Sequence, residues 1–300
     1  MSLVKIWLEA ARLRTLPLSI SGILVGAAMA LREDLFRWDV FWLAILATLG
    51  FQILSNYAND YGDGVKGADN EDRVGPKRAI QSGLLTPKQL KKAMWLTAIL
   101  TAVVVVMLIY ISFGYAKPFL SMLYLFLGII SIIAAIKYTV GKGAYGYRGL
   151  GDVFVFLFFG LVSVLGSYFL FTRHLLLHHF LGAVSIGCLA TLVLHLNNMR
   201  DRESDMKVRK NTLAVYLGAK GALWYHNFLL GLGVFSWVGY LLLVKAEAIV
   251  FTSTIAFLPL LFHFIKVQRV QDHKLLDPQL KVVALSTFLL GLLYFIISIF

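Results

Sequence analysis

A chain of 300 residues that is 59% hydrophobic and only 15% charged, with a mean hydropathy of +0.78, does not have the composition of one or two water-soluble domains. Its net charge of +12 comes from 28 Lys and Arg against 16 acids. In a membrane chain such an excess marks cytoplasmic loops and attraction to anionic lipid, so nucleic acid is not needed to explain it.

Apolar runs of roughly 20 residues cross about 30 Å of hydrocarbon. Nine occur in chain order, at about 15–31, 38–59, 92–113, 118–137, 150–172, 176–198, 221–244, 247–267 and 281–300. The expected fold class is all-α, a multi-pass bundle of nine transmembrane helices forming a single integral-membrane domain over 1–300. The first run follows "ARLRTLPLS" with Pro17 near its first turn, and reads as a retained helix rather than a secretory leader. Cys188, inside the sixth run, can form no internal disulfide and reads as a small packing residue. Basic residues cluster on the side of the N-terminus, and only Arg32, Arg37, Lys117, Arg173 and Lys245 fall across from it. That bias predicts a cytoplasmic N-terminus and, after an odd number of spans, a C-terminus on the opposite side. The two longest connections, about 60–91 and 199–220, are then both cytoplasmic and are expected to cap the helix ends.

Half of the sixteen acids fall in two windows. Asp60, Asp63, Asp69, Glu71 and Asp72 follow the second run, and Asp201, Glu203 and Asp205 follow the sixth. At about 100° per residue, Asn56, Asp60 and Asp63 share one helical stripe, and Asn198, Asp201 and Asp205 share another. Stacked carboxylates repel, and an Asp at the bilayer centre costs about 2.5–3.5 kcal/mol. Two kinds of compensation fit: the neighbouring Lys and Arg of a solvated loop, or a divalent cation. Mg²⁺ suits the second, being held by one or two carboxylates with substrate phosphates, while Asn ligates without adding charge. Zinc does not, because the seven histidines form no ligand spacing with cysteine. His174, His178 and His179 read as an interfacial loop, and His195 as a hydrogen-bonded interior histidine. Arg78 and Lys210, with Lys142 and Arg148 between the fourth and fifth runs, are placed to meet a phosphate. Neither GxGxxG nor GxxxxGK[ST] occurs, so a lipid diphosphate fits better than a nucleotide.

Together, "NDYGD" at 59–63 with "DNEDRVGPKRAIQSG" after it, "YTVGK" at 138–142 and "NNMRDRESDMKVRKNTLAVYLG" at 197–218 resemble the UbiA-type intramembrane aromatic prenyltransferases. The likeness covers nearly the whole chain. Within that superfamily, the run from "ANDYGD" to "GPKR" and "YRGLGDVFVFLFFG" are similar to the 1,4-dihydroxy-2-naphthoate polyprenyltransferase branch. The first motif departs from the general pattern: Asp60 and Asp63 are three apart rather than four, with Asp69 next. That spacing resembles the naphthoate branch and leaves open whether Asp63 or Asp69 is the direct metal ligand.

The resemblance implies a bundle around a central cavity with Mg²⁺ as cofactor. It makes Asp60, Asp63, Asp201 and Asp205 the catalytic and metal-holding acids, with Asn56, Asn59 and Asn198 completing the shell. Lys142, Arg148, Arg78, Lys210 and Tyr138 would meet the diphosphate of a polyprenyl donor. Arg12 or Arg14, at the inner end of the first helix, is the expected anchor for the carboxylate of an aromatic acid acceptor. The implied setting is a bacterial inner membrane, with the site on the cytoplasmic face. Two alternatives stay open at this stage: another acceptor such as 4-hydroxybenzoate, or a cation transporter. A transporter would be expected to carry acids near mid-membrane, whereas every clustered acid here lies at one edge. Isoprenoid length and oligomeric state are not legible; "GILVG" at 22–26 fits a helix dimer but packs equally within one bundle.

Overall fold

Five of the six prolines stand in the first turn of a helical segment, where a missing N–H removes no hydrogen bond and φ is already helical. The structure, a computed structural model, describes residues 3–67, 78–270 and 272–300. Asp69, Glu71, Asp72, Arg73 and Lys77 lie outside the described residues, and with them the choice between Asp63 and Asp69. The chain runs α1 (Leu3–Ala11), α2 (Leu16–Leu31), α3 (Trp38–Val65), α4 (Pro87–Phe113), α5 (Pro118–Lys137), α6 (Gly151–Thr172), α7 (His179–Arg200), α8 (Arg202–Lys207), α9 (Leu213–Leu243), α10 (Ala248–Arg269) and α11 (Asp277–Ile297). Among the described residues, nine helices are long and apolar enough to cross a membrane, the number expected.

Several helices outrun the apolar runs that announced them. α3 continues six residues beyond the expected end at 59, and α4 begins five before 92. Thr86 closes a reciprocal cap with Gln89 that stabilises the polar first turn of α4 in water. α9 starts at Leu213 and carries a break at Gly218, whose φ of 67° suits glycine. Hydropathy registers only the turns that lipid covers, whereas a capped helix persists into the aqueous layer. At the other end of the chain, α1 and α2 meet at a corner where Arg12 takes a left-handed φ of 53°, uncommon for a side-chain-bearing residue.

Small residues set the closest approaches. Gly22 and Gly26 of "GILVG" face Ser163 and Ser167 of α6, so this pattern serves packing inside the bundle. The middle of α6, Phe156–Gly166, is wound as a π-helix, a widened form that often accompanies functional sites. A Cβ on Gly160 would stand 2.7 Å from the Cα of Gly187 and 2.8 Å from the carbonyl oxygen of Ala183, backbone that cannot swing aside. Gly160→Ala is therefore expected to cost about 1–3 kcal/mol through overpacking, seen as a lower thermal unfolding midpoint in detergent. Cys188 is buried, in keeping with a packing role.

The end of the bundle remote from the acid windows holds its polar groups in a closed set. Glu33 accepts from the Tyr168 hydroxyl at 2.7 Å and lies 2.9 Å from His174 Nε2, and the Tyr240 and Tyr294 hydroxyls share a bond of 2.6 Å. Among the described residues no three His, Cys, Asp or Glu side chains are placed to hold a metal ion, here or elsewhere.

A cavity of about 960 Å³ occupies the bundle. Its walls come from seven of the nine spans; α9 and α10 contribute no lining residue, α9 packing behind α7 and the Leu258–Arg269 part of α10 against α11. The lining is polar at one end, with Asp63, Asp201 and Asp205, and apolar over most of the remainder, with residues such as Leu108, Phe158, Phe169 and Leu170.

Candidate active site

α3 and α7 each deliver a row of oxygens to that polar end because both helices terminate there. Asp63, Asn56 and Asn59 from α3, and Asn198, Asp201 and Asp205 from α7 and α8, line the same cavity. The two windows, well over a hundred residues apart in sequence, thus meet in one place. The rows are not equivalent in their partners. Asp63 accepts from the Tyr147 hydroxyl at 2.7 Å. Asp205 lies 3.5 Å from Lys210 Nζ, and its second oxygen has no hydrogen-bond partner among the described residues. Burial pushes the Asp205 carboxyl up to about 6; the Lys210 charge opposes the shift, and the Asp201 and Asp63 charges reinforce it.

Asp60 stands apart. It is 2% exposed, is absent from the cavity lining, and is held by Arg12 together with Arg78 at 3.2 Å. Two guanidinium groups on one carboxylate bind the α1–α2 corner and the residue 78 turn to α3, a charge-assisted arrangement that offsets the strain at Arg12. Asn56 serves the same corner: its amide donates to the carbonyl of Ala11 at 2.8 Å and to Thr15 Oγ1 at 3.2 Å, and its oxygen accepts from Gln52. Asn59 accepts from Thr139 Oγ1 at 3.3 Å, and Asn198 donates to Asp152 Oδ1 at 3.5 Å. Asp152 also lies 3.3 Å from His195 Nδ1, whose Nε2 meets the Ala222 carbonyl at 2.9 Å, so His195 is the hydrogen-bonded interior residue its context suggests.

The expected cations divide. Arg78, Lys210 and Tyr138 line the cavity. The Tyr138 phenol is raised above its ordinary pKa by burial first and by the Asp152, Asp63 and Asp205 charges next, so it remains a hydroxyl able to donate to an anion. Lys142 and Arg148 depart from expectation: both are exposed and neither lines the cavity. Their loop turns aromatic groups inward instead, Tyr145 stacking on Phe154 and meeting Tyr138 edge to face, so its positive charges are left to water. Arg12 and Arg14 both line the cavity, and Arg12 is in addition paired with Asp60.

Sequence reasoning overlooked Tyr147 and Arg200. The Arg200 side chain is 2% exposed and forks onto Asp201 through Nε at 2.8 Å and Nη2 at 2.7 Å, while also binding Asp277 of α11. Its only signal in the chain was its place inside "NNMRD", where it resembles a topology-setting charge.

A cavity with oxygen donors at one end and apolar walls beyond it accords with comparisons to known proteins. The sequence profile of the UbiA prenyltransferase family matches residues 19–292. The chain belongs to the UbiA prenyltransferase family. It is 42% identical over 302 residues to a 1,4-dihydroxy-2-naphthoate octaprenyltransferase of Haemophilus influenzae, covering 97% of this chain and 94% of that one. It is 46% identical over 224 residues to the enzyme of the same name from Escherichia coli, covering 75% and 72%. A UbiA homolog from Archaeoglobus fulgidus, solved with DMAPP and Mg²⁺, shares the fold at a TM-score of 0.70 and 16% identity over 98% of both chains. This is an integral-membrane prenyltransferase, and the transporter alternative is set aside.

The donor set fits Mg²⁺: the acidic and amide groups facing the cavity offer hard oxygens, and Asp205 presents a buried oxygen without a partner among the described residues. With no three carboxylates converging among the described residues, an ion there would draw further ligands from a bound phosphate, the usual habit of Mg²⁺. Tyr147→Phe removes the donor to Asp63 while leaving the ring that carries Lys66 Nζ 4.1 Å above its centroid. It is expected to lower kcat about tenfold, the worth of one hydrogen bond to a charged group, with little change in thermal stability.

Proposed function

We propose that the protein transfers a polyprenyl group from its diphosphate to 1,4-dihydroxy-2-naphthoate, releasing diphosphate and CO₂ and giving demethylmenaquinol, the reduced form of demethylmenaquinone. The observation that carries this reading is that oxygen rows from two distant segments line one cavity whose remaining walls are largely apolar. A lipid diphosphate has the same two-ended character. The 42% identity to a relative named for this activity, over nearly the full length of both chains, supports the acceptor.

In this reading carboxylates from both rows, Asp63, Asp201 and Asp205, with Asn59 and Asn198, would share the holding of Mg²⁺ and the diphosphate, the diphosphate oxygens supplying the ligands that no three carboxylates among the described residues converge to give. Asp60, paired to Arg12 and Arg78, and Asn56 fix the corner behind them. When bound, Mg²⁺ supplies positive charge against the diphosphate as the allylic C–O bond breaks. Arg78, Lys210 and the Tyr138 hydroxyl take a share of that developing charge from the cavity wall. The apolar walls keep water from the allylic cation, and aromatic faces such as Phe154 and Phe158 favour positive charge. Bond formation at the ring carbon bearing the carboxylate returns the C–CO₂ electron pair to the ring, so no proton is moved and no general base is required. The whole chain, 1–300, acts as one domain, with its N-terminus and site on the cytoplasmic side of a bacterial inner membrane.

The test is incubation of the membrane-embedded protein with Mg²⁺, a prenyl diphosphate and a panel of aromatic acids, followed by mass analysis. A prenylated, decarboxylated naphthoquinol is expected. Prenylation of 4-hydroxybenzoate in preference to the naphthoate would overturn the acceptor assignment.

A further inference from the structure

The cavity wall formed by α2 and α11 lies outside the two oxygen rows and holds a cation that the sequence did not single out. α11 runs close against α2: a Cβ on Gly291 would lie 2.8 Å from the carbonyl of Ser21 and 3.4 Å from Leu24 Cβ. Leu18 and Ala284 meet in a small buried cluster with Ala190. One turn nearer the N-terminus of each helix, Arg14 and Lys281 follow, and both line the cavity. Lys281 has no hydrogen bond or ion pair among the described residues. The carboxylate one turn before it, Asp277, is engaged by Arg200. The other cations on the oxygen rows are matched: Arg78 to Asp60, Arg200 to Asp201, and Lys210 to Asp205.

We propose that Lys281 is the specificity-determining residue for the aromatic acceptor, receiving its carboxylate in the part of the cavity that α2 and α11 line with Pro17, Leu18, Ala284 and Leu285. The inference rests on the reading of the substrate as an aromatic acid and adds the residue that recognises it. An ammonium beside apolar walls matches an aryl carboxylate, a monoanion on a flat apolar body. It matches a diphosphate poorly, since that group carries several charges and has Arg78, Lys210 and the acid rows to meet them. The position also suits the chemistry. As the C–C bond forms, the carboxylate carbon leaves as CO₂ and its bonding pair enters the ring. An anchor that makes a single contact from a flexible side chain holds the acid before reaction and does not oppose its departure. Lys281 therefore acts on acceptor binding more than on turnover.

Lys281→Gln in the full-length protein is expected to raise KM for 1,4-dihydroxy-2-naphthoate by about tenfold or more, the worth of a charge-assisted hydrogen bond. KM for the prenyl diphosphate and the Mg²⁺ concentration for half-maximal activity stay unchanged, and Lys281→Arg recovers most of the acceptor affinity. Fluorescence titration with the naphthoate alone shows the same weakening at equilibrium. An unmoved acceptor KM in Lys281→Gln, or a rise confined to the prenyl diphosphate, overturns the inference while leaving the activity intact. Wild-type protein that ignores the naphthoate but prenylates another aromatic acid overturns the underlying reading instead, and the inference with it.

Discussion

Asp63→Asn and Asp205→Asn each lower Mg²⁺-dependent release of pyrophosphate by about 10²–10³-fold, the scale on which single electrostatic contacts to a reacting centre act. Both carboxylates face the cavity, one from each row. Asparagine keeps the shape and one oxygen while removing the charge, so the loss reports the anion rather than a packing defect. Asp205 is the sharper probe, because its carboxyl is held up to about 6 by burial and its second oxygen has no partner among the described residues. Asp60→Asn is less informative: it strips the counter-charge from Arg12 and Arg78 and so weakens the fold together with the site. Asp39→Asn, at the far end of α3 and half exposed, serves as a control with unchanged turnover. Full activity in either cavity variant removes the acid rows from the reaction.

Arg200→Ala lowers the thermal unfolding midpoint in detergent by roughly 5–10 °C, corresponding to a loss of about 3–5 kcal/mol for a buried ion pair deprived of one partner. The guanidinium binds Asp201 through two nitrogens, reaches Asn197 Oδ1 at 2.8 Å and joins Asp277, so it clamps the end of α7 to the start of α11. Its removal leaves the buried Asp201 carboxylate, 4% exposed, without its cation. Arg200→Lys recovers only part of the loss, because an ammonium cannot reproduce the planar fork. An unfolding midpoint unaltered by Arg200→Ala refutes the clamp.

The candidate site was readable in the chain to the extent that its residues shared a helix. Asp63 with Asn56, and Asp205 with Asn198, could be placed on their stripes by angular spacing alone, and all four line the cavity. Residues whose meaning depends on a partner in another element were not readable. Asp60 sits on the same stripe as Asp63, yet Arg12 and Arg78 turn it into a structural anchor. Lys142 and Arg148 have the charge a diphosphate needs, but the loop backbone directs them to water and Tyr145 to the interior. Tyr147, Arg200 and Lys281 carry no spacing signal, since each acquires its setting from a helix or loop distant in sequence.

By itself the sequence determined the number of spans, the two acidic helix ends and the family likeness, because apolar run length and helical periodicity are local properties of the chain. Only the tertiary structure decided that the acid rows open into one cavity, that α9 and α10 stand outside it, and which charged side chains face inward. The physical reason is that lipid-facing and cavity-facing residues are alike in hydropathy. Which face of a helix turns inward is set by close contacts such as Gly160 on Gly187 and Gly291 on Ser21, and these exist only when the helices are together.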